Sequence, residues 1–338
     1  MSANLDDPKS PAFVACRSDL ASYKVLAEPM LPVVEESLTQ LAAGPATINV
    51  ALASLEQLWL GRTRIYAPSV GVTVLDPSVF AFILTAATDE CRINGELAQA
   101  SRVYMPGAQH GFYIRGGRRE SIGVAVPRSP LVETVAALQG VDADDVALDA
   151  RSFEVRPRDT AHLRRAVDRT FESTSARTNG DLSEESARTT SSEILGWLLD
   201  GLLRSQGPTP KRGGGTERIV RKAEERFFDA GEHGISLADL CTAANVSQAS
   251  LYRAFREVCG ETPLGYFRKR RMSKARGMLL QASRGRGAVK RAALSAGLTE
   301  LGRFSVEYRQ LFGESPSATL SDAAFEKARP GSVRLTRW

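Results

Sequence analysis

The chain has 338 residues, 43% hydrophobic and 25% charged, with a net charge of +5. That is the balance of an ordinary soluble globular protein, long enough for two domains that each bury a core. From Lys211 to Trp338 there are 24 Lys and Arg against 13 Asp and Glu, while the rest holds 20 against 26. A polyanionic partner is therefore expected for the back half only, although a solvated basic surface would account for the charge alone.

Met1 to Ser10 is polar and acidic with no apolar h-region, so no secretion signal is expected. The four cysteines, Cys16, Cys91, Cys241 and Cys259, are too far apart for a metal or redox motif, which predicts free thiols in a reducing cytoplasm. Met30 to Leu41 reads as a helix. From Ile48 to Val126 short β-branched and aromatic runs alternate with turn residues, as in Gly71 to Pro77, Phe80 to Leu84 and Ile122 to Val126. Gly116-Gly117 predicts a hairpin turn. Strands at this spacing predict a sandwich or half-open barrel. The longest apolar run, Val79 to Ala87, is broken by Thr85 and too short to span a bilayer.

Tyr104 to His110 resembles the turn and strand of a cupin-like half-barrel. Met105, His110, Phe112 and Tyr113 are accordingly candidate effector-binding residues, with plain core as the alternative for the aromatic ones. The other histidines, His162 and His233, lie outside the strand region and there is no His-x-His, so no cupin-type metal site and no cofactor is expected.

Beyond the strands the period changes to that of helices. Ser129-Pro130 starts one, with Leu131, Val135 and Leu138 on a shared face and Gly140 at its end. A second follows Asp159 with Leu163, Val167 and Phe171 in line. Ser173 to Ser192, rich in Ser, Thr and charge, predicts a loop. A third helix carries Ile194, Leu195, Leu198, Leu199, Leu202 and Leu203, either as a dimer seam or packed on its own domain. Gln206 to Gly215 holds two prolines and three consecutive glycines and reads as a linker.

After the linker the pattern is helical to about Asp322. Thr216 caps a helix with Ile219, Val220, Ala223 and Phe227 inward, and Ser236 caps the next, with Leu237, Leu240 and Cys241 buried. Two segments then match at a constant offset of 53: Val246 to Pro263 and Thr299 to Pro316. Each reads as a helix-turn-helix unit. In the first, Asn245 takes the turn, Ser247 caps, and Leu251, Phe255 and Val258 form the apolar stripe. Gln248, Ala249, Tyr252, Arg253 and Arg256 lie on the other side, as they would to enter a major groove. Arg253 suits bidentate bonding to guanine, and Arg256 suits phosphate.

In the second unit Val289, Ala292, Ala293 and Ala296 face inward, Gly297 takes the turn, and Phe304, Tyr308 and Leu311 bury the reading helix. Leu301, Gly302, Arg303, Ser305, Val306 and Arg309 are its candidate DNA-facing residues. This face is poorer in hydrogen-bonding groups, so the first unit is expected to discriminate sequence and the second to anchor. A long helix from Leu264 to Gln281 joins the units as a strut. Its run Arg268 to Arg271, with Lys274 and Arg276, suits phosphate, acidic partners or a solvated face equally.

Residues from about Ser236 to Leu320 resemble the DNA-binding domain of the AraC/XylS family of bacterial transcription regulators. The resemblance is carried by Ser247, Leu251-x-Arg253-x-Phe255, Gly260-x-x-Pro263, Tyr266, Arg271, Ala275, Gly297 and Gly313-x-Ser315-Pro316. It implies base contacts at Ala249, Tyr252 and Arg253, and at Leu301, Gly302, Ser305 and Val306. It also implies a small-molecule effector, double-stranded DNA and RNA polymerase as partners, a homodimer, and activation as the commoner outcome.

The expected fold class is α+β: a β-rich sensing domain over 1–172, a connecting helix and linker over 173–215, an all-α double helix-turn-helix over 216–322 with units near 236–260 and 288–313, and a tail over 323–338. No catalytic constellation stands out, so an enzyme is not expected. An architectural DNA-binding protein without an effector is the alternative, distinguished by a low ratio of specific to background binding.

Overall fold

The computed structural model describes residues 12–28, 30–55, 58–87, 89–106, 111–146, 148, 151–175, 184–204, 214–231, 235–283 and 285–327. Its front half is built on two antiparallel sheets, with strands numbered along the chain. One sheet runs in the order β1 (Ala12–Asp19), β3 (Thr47–Leu55), β4 (Leu58–Ile65), β11 (Arg119–Pro127), β6 (Val79–Ala87), β9 (Arg102–Tyr104) and β12 (Ser152–Glu154). The other runs β2 (Val33–Gln40), β5 (Ser69–Leu75), β10 (Gly111–Gly116), β7 (Cys91–Ile93) and β8 (Glu96–Leu97).

Side-chain alternation gives each sheet two jobs. On β11, Ile122, Val124 and Val126 join the core shared with helices α2 (Arg128–Gln139), α3 (Pro157–Ser175) and α4 (Glu184–Arg204). Arg119, Ser121, Gly123 and Ala125 on the same strand line a cavity between the sheets. On β5, Gly71, Thr73 and Leu75 line that cavity, while Val70 and Val72 pack into the core of the back half. The second sheet is thus a wall common to the cavity and to the junction with the back half.

Several expectations are corrected here. Met30 to Leu41 is not a helix: Val33–Gln40 is strand β2, paired with β5 through a register shift between Val33 and Glu35. Ser173 to Ser192 is not one long loop, because α3 runs to Ser175 and α4 starts at Glu184; residues 176–183 lie outside the described ones. Leu138 is 59% exposed, and Ala136 takes the third inward place beside Leu131 and Val135. On α4, Ile194, Leu198 and Leu202 are buried in the front domain's own core, so that face is not free to be a dimer seam. The linker expected at Gln206 to Gly215 falls mostly outside the described residues, and α5 (Gly214–Ala230) opens within it.

Among the described residues the back half is helical: α5, α6 (Leu237–Ala244), α7 (Gln248–Val258), α8 (Pro263–Gln281), α9 (Ala288–Ser295), α10 (Leu301–Phe312) and α11 (Pro316–Lys327), the last running past the expected bound at 322. Val220, Ala223 and Phe227 of α5, Leu240 of α6, and Leu251, Phe255 and Val258 of α7 form one core. Ala292, Ala293, Ala296, Phe304, Tyr308 and Leu311 form the other. The 19-residue helix α8 contributes to both, and at ~1.5 Å per residue it is about 28 Å long.

Candidate nucleic-acid interface

Each reading helix is set by its local chemistry. Ser236 and Asp239 form a reciprocal capping box on α6, which ends at Asn245 in the left-handed region, φ 52°. Ser247 then accepts from the Ser250 backbone N–H at 3.3 Å and starts α7. In the second unit Gly297, φ 76°, makes the turn, and α10 begins at Leu301 without a side-chain cap.

The apolar stripes face inward and leave the expected faces open. On α7, Gln248, Ala249, Arg253 and Arg256 are exposed and Tyr252 is half-buried. On α10, Gly302, Arg303, Ser305 and Arg309 are exposed, and Val306 is an exposed hydrophobic at 58%. Leu301 is half-buried against the core of its unit. Among the described residues, Arg253, Arg256 and Arg309 meet no carboxylate, so their guanidinium groups are available to phosphate and base edges. Arg303 differs. Its Nε donates to Glu307 at 2.8 Å, and Glu307 and Glu300 hold its pKa above the usual value.

The strut's arginines divide by face, which sequence alone left open. Arg270 is buried and donates to both Glu224 on α5 and Glu35 on β2. Tyr266 and Tyr113 hydroxyls donate to the same Glu224 at 2.6 and 2.5 Å. Burial opposes charge on Arg270, but Glu224, Tyr266 and Glu35 more than offset it and keep it charged. Burial pushes the Glu35 carboxyl up to about 7 in spite of Arg270. Arg276 donates to Asp19 at 2.8 and 2.9 Å, to Glu314 at 2.8 Å and to Tyr308 at 3.2 Å. These two arginines are buried and fasten the strut to the front domain. Lys274 is exposed.

The front domain also holds the C-terminal ends of both reading helices. Arg115 Nη1 donates to the Arg256 carbonyl at 3.3 Å. Gln40 Nε2 and the Gly44 N–H donate to the Leu311 carbonyl at 3.1 and 3.0 Å.

The effector candidates separate. Phe112 lines the cavity between the sheets. Tyr113, its neighbour on β10, points the other way to Glu224. Met105 is buried in the core under the helices, and His110 lies outside the described residues. Glu36 and Arg119, which sequence reading missed, line the cavity as well. The available signal was the recurrence of inward glycines at Gly61, Gly71 and Gly123 amid β-branched strands. Among the described residues no cluster of metal-ligating side chains occurs, and no helix is long and apolar enough to cross a membrane.

Residues 240–322 match the family model described as a helix-turn-helix domain. The chain is 38% identical over 105 residues to XylDLEGF operon transcriptional activator 2 of Pseudomonas putida, covering 31% of this chain and 64% of that one. It is 35% identical over 107 residues to a probable thc operon regulatory protein of Rhodococcus erythropolis, covering 32% of each. It therefore spans less than two thirds of these relatives' length. A probable AraC family transcriptional regulator from Rhodopseudomonas palustris CGA009 is 31% identical, with 31% of this chain and 96% of that chain covered and a TM-score of 0.27. The AraC-like transcriptional activator CuxR is 12% identical, with 83% and 99% covered and a TM-score of 0.39. The C-terminal domain is a double helix-turn-helix of the AraC/XylS type.

Proposed function

We propose that the chain is a sequence-specific DNA-binding transcription regulator, an activator working as a cytoplasmic homodimer and answering a small molecule held between the two sheets of its front domain. The observation that carries the DNA-reading part is the pair of matched helices, α7 and α10, with Arg253, Arg256 and Arg309 exposed and, among the described residues, meeting no carboxylate. Phosphate contacts from such residues give affinity, and base-edge contacts give sequence preference. RNA polymerase is then the partner beside which the bound protein acts. The relatives' names describe operon regulators, which supports a regulatory rather than an enzymatic role.

The shared wall supports the effector part. Glu36 faces the cavity and Glu35 faces Arg270; Phe112 faces the cavity and Tyr113 faces Glu224. A ligand that shifts β2 or β10 therefore acts on the strut between the two reading helices, provided it binds the two arrangements unequally.

The test is a binding assay on randomised duplexes with the wild type, Arg253→Ala and Arg309→Ala. Arg253→Ala is expected to relax preference at one base position at a cost of about 1–3 kcal/mol, and Arg309→Ala to weaken all sequences alike. Reversed outcomes would show that the second unit is the discriminating one. Equal affinity for all duplexes would point to the architectural alternative.

A further inference from the structure

The front domain meets the helix-turn-helix half at two places where carboxyl groups outnumber the guanidinium that holds them. At the first, one guanidinium serves two carboxyls: Arg270 Nη1 donates to Glu224 on α5, and its Nη2 donates to Glu35 on β2. The Glu35 and Glu224 side chains are 21% and 4% exposed, so little water reaches either. Lys24, on the short helix Tyr23–Ala27, also acts on Glu35, but it pairs with Glu28 at 3.2 Å. The Tyr113 and Tyr266 hydroxyls donate to Glu224, and Glu35 in turn acts on its neighbour Glu36.

At the second place three carboxyls come together with one guanidinium. Arg151 of the front domain donates to Glu217 on α5 at 3.3 Å. Glu96 on β8 and Glu257 on α7 also act on Glu217, and both oppose its ionisation. A Cβ built on Gly95, in the turn between β7 and β8, would lie 3.8 Å from a Glu217 oxygen and 3.9 Å from a Glu257 oxygen. Carboxyls from two helices of the back half therefore face this turn of the front domain.

Enclosing more carboxyls than cations is costly while all of them are ionised, and a bound proton removes the excess. Burial, the largest cause in each case, raises Glu35 and Glu217 to about 7. With the halves apart, Glu35 stands on the edge strand of its sheet and Glu217 in the first turn of α5, where water restores the ordinary value of 4.5. Docking therefore takes up protons between 4.5 and about 7. The contribution of each group to docking is complete below 4.5, falls as pH rises, and is lost above about 7.

We propose that docking of the two halves is proton-linked: the junction closes with proton uptake at Glu35 and Glu217, and alkaline solution loosens it and releases the ends of both reading helices. The release follows from what the junction holds. Arg115 bonds the Arg256 carbonyl in the last turn of α7, and Gln40 and Gly44 bond the Leu311 carbonyl in the last turn of α10. A change of pH thus reaches the readers without any molecule entering the cavity between the sheets. This input goes beyond the DNA-reading and effector roles, and its test depends on neither.

Two backbone amides of the front domain bond across the junction. The Gln40 N–H donates to the Ser273 hydroxyl at 3.4 Å, and the Gly44 N–H donates to the Leu311 carbonyl at 3.0 Å. Their hydrogen exchange in the full chain, corrected for the intrinsic effect of pH on exchange, reads the docking equilibrium. In the wild type the protection of both should fall at least ~10-fold from pH 6 to pH 8, because each group contributes roughly tenfold over that interval. The double variant Glu35→Gln with Glu217→Gln carries permanently neutral side chains of the same shape. It should lose most of this pH dependence and be as protected at pH 8 as the wild type is at pH 6. If the double variant does not fold, the single changes decide, since each should remove about half of the change in log protection. Wild-type protection that ignores pH, variants that keep the full pH dependence, or variants less protected than the wild type at pH 8 would overturn the proposal. The last outcome would mean that the ionised pairs hold the junction.

Discussion

A carboxyl enclosed by an apolar sandwich is cheaper to hold as the acid than as the anion. Glu36 is 3% exposed, and burial raises it from an ordinary 4.5 to about 8. Between those two values the native chain keeps a proton that the unfolded chain has lost. Stability contributed by this group is therefore complete below 4.5, falls as pH rises, and is lost once the pH passes about 8. Glu36→Gln supplies a permanently neutral side chain of the same shape. Its stability relative to the wild type, measured by urea denaturation, should be near zero or slightly negative at pH 4 and should rise to a gain on the order of 3 kcal/mol by pH 9. A difference that stays flat across this range would mean that Glu36 is already ionised in the native protein. The groups that face it are Tyr23, Thr73, Glu35, Lys24 and Glu28. Glu35, also raised, adds its own decline up to about 7 in both proteins, so the comparison between variants isolates Glu36.

Elements with local punctuation were legible in the sequence; those settled by distant partners were not. The reading helices could be placed because Ser247, Asn245 and Gly297 mark their turns and because Leu251, Phe255, Phe304 and Tyr308 recur at helical spacing. The same logic misplaced β2. Leu31, Val34, Leu38 and Leu41 also fall at helical intervals, but pairing with β5 and the irregularity at Val33 to Glu35 impose a strand. The basic run on α8 was ambiguous for a related reason. Its partners Glu35 and Asp19 lie more than 200 residues earlier, and no local pattern announces that Arg270 and Arg276 turn toward them. The exposed reading-face arginines needed only the stripe opposite them to be found. At the junction, α5 contributes the carboxylate on which α8 and β10 converge. Glu224→Gln should leave the Arg270 charge poorly compensated and cost on the order of 3 kcal/mol, read from the denaturation midpoint. The double change Glu224→Leu with Arg270→Met removes both charges and should cost less than the sum of the single changes in a double-mutant cycle.

The whole molecule is organised around one helix that two halves share. α8 belongs to both helix-turn-helix cores, and its other side lies against the front domain, where Gly277 comes close to the chain at Ala21. A Cβ placed at Gly277 would sit 2.9 Å from the Ala21 carbonyl oxygen, closer than side chains approach backbone. Glycine inside a helix otherwise costs about 0.5–1 kcal/mol relative to alanine, so the residue trades helix stability for close docking. Gly277→Ala separates the two effects by sign. It should strengthen α8 as a helix while forcing the front domain away from it, loosening the nearby bonds from Arg276 to Asp19 and from Lys269 to the Leu41 carbonyl. Hydrogen exchange is the suitable measurement. Amides of the 3-10 turn at Leu20–Ser22 and of β2 should exchange faster, whereas those in the middle of α8 should be unchanged or slower. Because Gln40 and Gly44 hold the end of α10 from the same segment, loosening it also frees the second reading helix from the front domain. The DNA affinity of Gly277→Ala should then change although no DNA-facing residue has been altered, and an affinity identical to the wild type would mean that the docked front domain does not constrain the readers.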